Sequence, residues 1–126
     1  MEPEIPEETQ KLAAEKKEEK IDYETFSKIN LQTATVLEAE GIPNSDKLLK
    51  MRIDLGHEQR QLVAGIAASY APEEMIGRQI IVVANLRPRK IRGVESDGML
   101  LAVEGSDGRI NLLATDKRAE NGLRVQ

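Results

Sequence analysis

The sequence has no cysteine, a single histidine, His57, and only three aromatic side chains, Tyr23, Phe26 and Tyr70. Without cysteine there is no disulfide framework and no Cys-His nucleophile, and one histidine does not furnish a structural zinc site. No apolar run approaches the roughly 18 residues that a membrane span requires, and the acidic N-terminus lacks the basic and apolar regions of a signal peptide. A cytoplasmic chain is expected. Its 126 residues fit one compact domain with a usable core.

Chemistry is equally sparse. Gly93 and Gly98 are flanked by polar residues without the spacing of a phosphate-binding loop, which argues against nucleotide hydrolysis. His57 lies between Gly56 and Glu58 in a hydrophilic turn, with no nucleophile near it in sequence. Glu73 and Glu74 are adjacent carboxylates, but helical neighbours diverge, and acids in a first helical turn already have a structural reason. No catalytic residue, metal site or cofactor is expected.

What is present is charge, unevenly placed. The formal net charge is −4, and residues 1–22 account for all of it with eight acids against four lysines. The remainder balances 14 acids with 14 bases. Within it, Arg87, Arg89, Lys90 and Arg92 fall inside six residues that contain no acid. A polyanion responds to that local field before it responds to net charge.

The chain divides near residue 20. Residues 1–20 contain Pro3 and Pro6 and a Lys/Glu/Ala-rich run in which Leu12 is the one large aliphatic side chain, so they read as an acidic linker or a tail, helical or disordered. Residues 21–126 read as one domain. Asp22 is placed to cap a short helix that carries Tyr23, Phe26 and Ile29 on one face, and the first two are expected to pack there. From Leu31 the period changes to two. Strands are predicted over Leu31–Ala39, Leu49–Leu55, Gln61–Ile66, Gln79–Leu86, Met99–Val103 and Ile110–Ala114. Leu49, Met51, Ile53 and Leu55 should face inward, and the nearly all-apolar Gln79–Leu86 should be a central strand covered on both faces. A short helix is predicted from Pro72, with Glu73 and Glu74 in its first turn and Gly77 beyond its end. This order gives a mainly β fold, an OB-fold five-stranded Greek-key barrel with a short helix between strands 3 and 4.

The segment from Asn85 to Met99 stands out because its charge has no buried purpose. Pro88 restrains the backbone while Gly93 and Gly98 permit tight bends, so the bases are presented on a shaped loop. Guanidinium forks match phosphate oxygens, although a solvated basic loop would look the same in sequence. Single-strand binders with this fold stack bases on several aromatics. A basic barrel this poor in aromatics suits the backbone and shape of a folded RNA instead.

The chain resembles the tRNA-binding domain shared by methionyl-tRNA synthetase C-termini and free-standing dimeric tRNA-binding proteins. The likeness covers about residues 21–126. It rests on Ser45-Asp46-Lys47-Leu48-Leu49, Ile53-Asp54-Leu55-Gly56, Val63-Ala64-Gly65-Ile66, Tyr70-Ala71-Pro72-Glu73-Glu74 and, most specifically, on Val83 to Ser96 leading into Gly98-Met99-Leu100-Leu101-Ala102. The resemblance implies an OB-fold dimer with a C-terminal dimerisation extension, gripping tRNA with little sequence preference. It assigns RNA contacts to Lys47, Asn85, Arg87, Lys90, Arg92, Ser96 and Met99, and Arg89 joins them from the basic cluster. Phosphates would meet Lys47 and the Arg/Lys cluster, and Asn85 and Ser96 would donate or accept hydrogen bonds. Met99 reads equally as an adaptable apolar contact or as strand core. Where family members often have Asp-Leu-Arg entering the first strand, this chain has Asn30-Leu31-Gln32.

Leu112, Leu113, Leu123 and Val125 exceed what a five-stranded barrel needs to close, and are expected at a homodimer interface. Deleting residues 121–126 should then weaken the dimer more than the fold. The expected role is a non-catalytic tRNA-binding and dimerisation module fused to a synthetase. The alternatives are a free-standing tRNA-binding protein, or a dimeric secretion-type chaperone of the same fold that grips peptides in an apolar groove. The four clustered bases favour a polyanion over a peptide.

Overall fold

The computed structural model describes residues 18–126, and most of the acidic segment over residues 1–20, expected to be a linker or a tail, lies outside the described residues. Helix α1 (Tyr23–Ser27) precedes strands β1 (Leu31–Gly41), β2 (Leu49–Asp54) and β3 (Gln59–Ala64). Helix α2 (Pro72–Met75) and strands β4 (Gln79–Val83), β5 (Arg89–Ile91), β6 (Val94–Ser96), β7 (Met99–Leu100), β8 (Ala102–Glu104) and β9 (Ile110–Leu112) follow.

Five antiparallel strands form the main sheet in the order β3-β2-β1-β4-β7. β1 serves two partners: Leu31–Thr35 pairs with β4, and Thr35–Gly41 pairs with β2. A register shift between Val36 and Glu38 marks a bulge that bends the strand from one half of the barrel into the other. Because β3 and β4 flank β1 and β2 on opposite sides, the chain between them must cross the barrel, which is the Greek-key step. That crossing contains α2, whose Met75 is fully buried in the core. On the far side the Asp97 N–H donates to the Gln61 carbonyl (2.8 Å), so the sheet nearly closes into an OB-like barrel.

The alternation read from the sequence fills this barrel. Leu49, Met51, Ile53 and Leu55 are all at most 1% exposed, and they pack with Ala34, Val36, Leu62, Ile80, Val82 and Leu100. Every residue of β4 is buried, as expected for a strand covered on both faces, but the strand stops at Val83 and Leu86 is exposed in the following turn. The predicted Met99–Val103 strand is divided at Leu101, whose N–H donates to the Ile81 carbonyl (3.0 Å). Its second part, β8, pairs instead with β9.

The outer face of β1 and β4 is covered by the C-terminal segment, through polar groups. The Thr33 hydroxyl donates to the Glu120 carbonyl (2.6 Å) and accepts from the Leu123 N–H (3.0 Å). The Thr35 hydroxyl donates to the Asn121 side-chain oxygen (2.7 Å). Buried Gln79 donates to the Ala119 carbonyl (2.7 Å) and accepts from Thr115 and Ala119. Gly122, at φ +79°, lies so close to the Leu55 carbonyl that a Cβ would run into it. The tail is therefore an integral wall of the barrel. Leu112 is half-buried and packs against the core, its N–H donating to the Tyr70 hydroxyl (3.2 Å).

Helix α1 forms as its cap predicts, the Thr25 N–H donating to the Asp22 carboxylate (2.7 Å). Hydrogen bonding from Thr25 holds that carboxyl below its ordinary pKa. The expected packing of its aromatics does not occur. Tyr23 is 83% exposed and Phe26 40%, because five residues give one and a half turns, too short to lay an apolar face on the barrel. Among the described residues no helix is long and apolar enough to cross a membrane.

Candidate nucleic-acid interface

The basic segment is a β-hairpin. Arg89 pairs with Ser96, Lys90 with Glu95 and Ile91 with Val94, leaving Arg92 and Gly93 as a two-residue turn. Both turn residues have positive φ, +54° and +79°. That is the backbone of a primed turn, whose twist matches its flanking strands and which favours glycine at its second position. Arg92 accepts the less comfortable first position and is thereby fixed at the tip. Half-buried Ile91 and Val94 share one face of the hairpin with buried Ser96, whereas Lys90 and Glu95 occupy the other.

The barrel grips both stems. At the first, the Asn85 side chain donates to the Lys28 carbonyl (2.6 Å) and accepts from the Asn30 N–H (2.8 Å), while the Ala84 N–H donates to the Asn30 carbonyl (2.7 Å). At the second, the Ser96 hydroxyl donates to the Gly98 carbonyl (3.0 Å) and accepts from the Val63 N–H (3.0 Å). Gly98, at φ +125°, lies beside Leu62, Val82 and the Val83 carbonyl, where a side chain would be crowded and its backbone strained. The Gln61 amide donates to the Glu95 carbonyl (2.8 Å).

These contacts sort the sequence-derived residues. Arg87, Arg89, Lys90 and Arg92 are exposed, and among the described residues none of them forms an ion pair. Lys47, from the loop between β1 and β2, lines one open cleft together with Ser45, Ile91 and Arg92, so two segments distant in sequence meet there. Met99 is 39% exposed, which favours the surface-contact reading over strand core. Ser96 is 1% exposed, and its hydroxyl both donates and accepts inside the protein, so its side chain fastens the hairpin. Asn85 is exposed but already spends one donor and one acceptor on the N-terminal segment.

Sequence reasoning passed over Arg60. Its guanidinium, on β3, donates to the Ala84 carbonyl, pairs with Glu58 (2.6 Å) and approaches Asp97 (3.8 Å). The hydrogen bond from Arg60 is the main cause that holds the Glu58 carboxyl below its ordinary pKa. Nothing in the Gln59-Arg60-Gln61 run distinguishes this arginine from a solvated one, since two of its partners, Ala84 and Asp97, lie far along the chain. Arg52 and Gln59 form a further polar surface nearby, the Arg52 guanidinium donating to the Gln59 side-chain oxygen (3.0 Å).

Chemically, the arrangement presents exposed cations, with Glu95 beside Lys90 on the outer face, on a support hydrogen-bonded at both stems. Among the described residues no cluster of three or more metal-ligating side chains occurs.

Residues 31–124 match the family model described as "Putative tRNA binding domain". The chain is 51% identical to the methionine–tRNA ligase of Caldanaerobacter subterraneus over 120 residues, which are 93% of this chain and 19% of the ligase. It is 47% identical to that of Methanocaldococcus jannaschii over 110 residues, 87% of the chain and 17% of the ligase. The chain thus spans less than a fifth of the length of these curated relatives. Among solved structures, a MetRS-related protein from Pyrococcus horikoshii superposes with a TM-score of 0.81 at 39% identity, covering 86% of this chain and all of that one. The chaperone CsaA of Bacillus anthracis gives a TM-score of 0.78 at 29% identity, with 86% and 100% covered. What the chain shares with the ligases is their non-catalytic tRNA-binding portion, and it belongs to the tRNA-binding domain family.

Proposed function

We propose that this chain is the tRNA-binding and dimerisation module of a methionyl-tRNA synthetase, working in the cytoplasm and raising tRNA affinity with little sequence preference. Residues 21–126 form the module and residues 1–20 tether it to a catalytic domain. The carrying observation is the set of exposed cations at Arg87, Arg89, Lys90 and Arg92, without ion-pair partners among the described residues, on a hairpin anchored at both stems. Charges left unpaired on a rigid support are free to neutralise phosphates, and Lys47 across the cleft extends the same field. Met99 adds an apolar contact, and the remaining hydrogen-bonding capacity of Asn85 is available to RNA. Phosphate contacts fix register without reading sequence, which accounts for broad tRNA acceptance.

The dimer reading rests on a second surface. Tyr23, Phe26, Ile29 and Val125 line one open hollow, and Leu123 and Leu113 are exposed as well. A large aromatic left 83% exposed beside other apolar groups is well suited to a self-complementary contact between two copies.

The test is a competition. Labelled tRNA bound to the chain is titrated with salt and, separately, with unfolded polypeptide. A log-log salt slope of roughly −3 to −4 per engaged subunit, from about four phosphates, supports the proposal. The likeness to CsaA makes peptide binding the second reading, and displacement of tRNA by polypeptide at comparable concentration would favour it.

A further inference from the structure

The basic hairpin leaves the barrel after Ala84 and returns at Asp97, thirteen positions later, and one side chain reaches both points. Arg60 donates to the Ala84 carbonyl and lies 3.8 Å from the Asp97 carboxylate, while Glu58 holds its guanidinium from a third side at 2.6 Å. Its side chain is only 17% exposed, whereas Glu58 and Asp97 are 43% and 42% exposed. We propose that Arg60 is a positioning residue for tRNA: it ties the two stems of the hairpin to β3 and so sets the direction of Arg87, Arg89, Lys90 and Arg92 without itself touching phosphate.

This rests on the proposed tRNA-binding role of the hairpin. The physical case is geometric. A planar guanidinium offers several donors at fixed angles and so bridges separate acceptors, whereas an ammonium acts as a point charge. The other fastenings serve one stem each: Asn85 the first, Ser96 and Gln61 the second. Among these side chains Arg60 alone couples the stems to each other. Three acceptors around a mostly covered guanidinium also leave it little capacity for an external anion.

The experiment compares tRNA affinity across a salt series for the wild-type chain, Arg60→Met, Arg60→Lys, Asp97→Ala and the double variant Arg87→Ala/Arg92→Ala, with amide hydrogen exchange on each. Arg60→Met should weaken binding roughly fivefold to twentyfold, because the hairpin must then be ordered on association. Its salt slope should stay at the wild-type value, since no phosphate contact is lost. Exchange should accelerate over Arg89–Ser96 but not in β2. Arg60→Lys should fall between the two. Asp97→Ala decides the sign and guards against a misfolded Arg60 variant. Removing an acid beside a polyanion site should tighten binding by plain electrostatics, so a loss of roughly twofold to threefold marks positioning. Wild-type affinity in Arg60→Met, full rescue by lysine, a slope flattened by about 0.7 to 0.9, or tighter binding in Asp97→Ala would each overturn the proposal. If the double arginine variant alone keeps wild-type affinity and slope, it is the phosphate-binding role of the hairpin that fails, and the positioning role goes with it.

Discussion

Two surfaces of this barrel are unfinished, in opposite senses. At the β5–β6 hairpin the unfinished element is charge: four cations without ion-pair partners among the described residues, on a backbone secured by hydrogen bonds at each end. At the junction of α1 with the tail it is apolar area: Tyr23, Phe26, Ile29 and Val125 around an open hollow, beside a tail secured by Thr33, Thr35 and Gln79. In both places the support is polar and satisfied while the presented groups are not. The lesson is that, Asn85 apart, fastening and presenting are done by different residues, so the two can be separated by substitution.

The strongest break is Gly122→Ala. The new methyl group meets the Leu55 carbonyl, and φ is +79°. The expected cost is about 3 kcal/mol or more, read as a fall in the denaturation midpoint, because the tail is wall as well as rim. A loss confined to dimerisation, with monomer stability intact, would restore the tail to a purely intermolecular role. Next in size is Tyr23→Ser/Phe26→Ser, which removes presented apolar area and leaves the fastening untouched. Sedimentation at micromolar concentration should shift to a 14.0 kDa species, with stability of the monomer changed by less than about 0.5 kcal/mol.

On the hairpin, Arg87→Ala/Arg92→Ala should flatten the log-log salt slope by roughly 1.5 and weaken different tRNAs alike, with no change in thermal stability. The break with the smallest expected effect on the salt dependence of tRNA binding is Ser96→Ala. It strips a buried hydroxyl that both donates and accepts, leaving the Val63 N–H and the Gly98 carbonyl short of a partner. Stability should fall by about 1–3 kcal/mol at most, since those groups are buried, and the salt slope should not move. A flattened slope in Ser96→Ala would mean that fastening and presenting are not separable here.

The barrel was legible where period and burial coincide. Leu49, Met51, Ile53 and Leu55 alternate because one face of β2, continued by Leu55, fills the core, and the apolar Ile80–Val83 of β4 reads as covered on both faces because the tail lies over it. The basic cluster was legible as well, since four bases in six residues have no core function. Its hairpin form was not: Arg92 at positive φ gives no sequence signal, and only Gly93 hints at the turn. Ser96 looked like a ligand contact because a serine near bases suggests hydrogen bonding outward, whereas tertiary pairing with Val63 turns it inward. Tyr23 and Phe26 looked packed because their spacing is helical, but spacing says nothing of whether a helix so short finds a surface. Arg60 stayed hidden because Ala84 and Asp97 become its neighbours only on folding.

The two-residue turn at Arg92 and Gly93 has a consequence for how this loop can vary. With Ile91 paired to Val94, the turn sets which side chains of β5 and β6 face the barrel and which face outward. One inserted or deleted residue would slip the register, exchanging the places of Lys90 and Ile91 and lifting Ser96 out of its seat. Composition within the hairpin is therefore open to drift, arginine for lysine or one outward residue for another, while its length is not. What the turn constrains most strictly is the loop's count of residues.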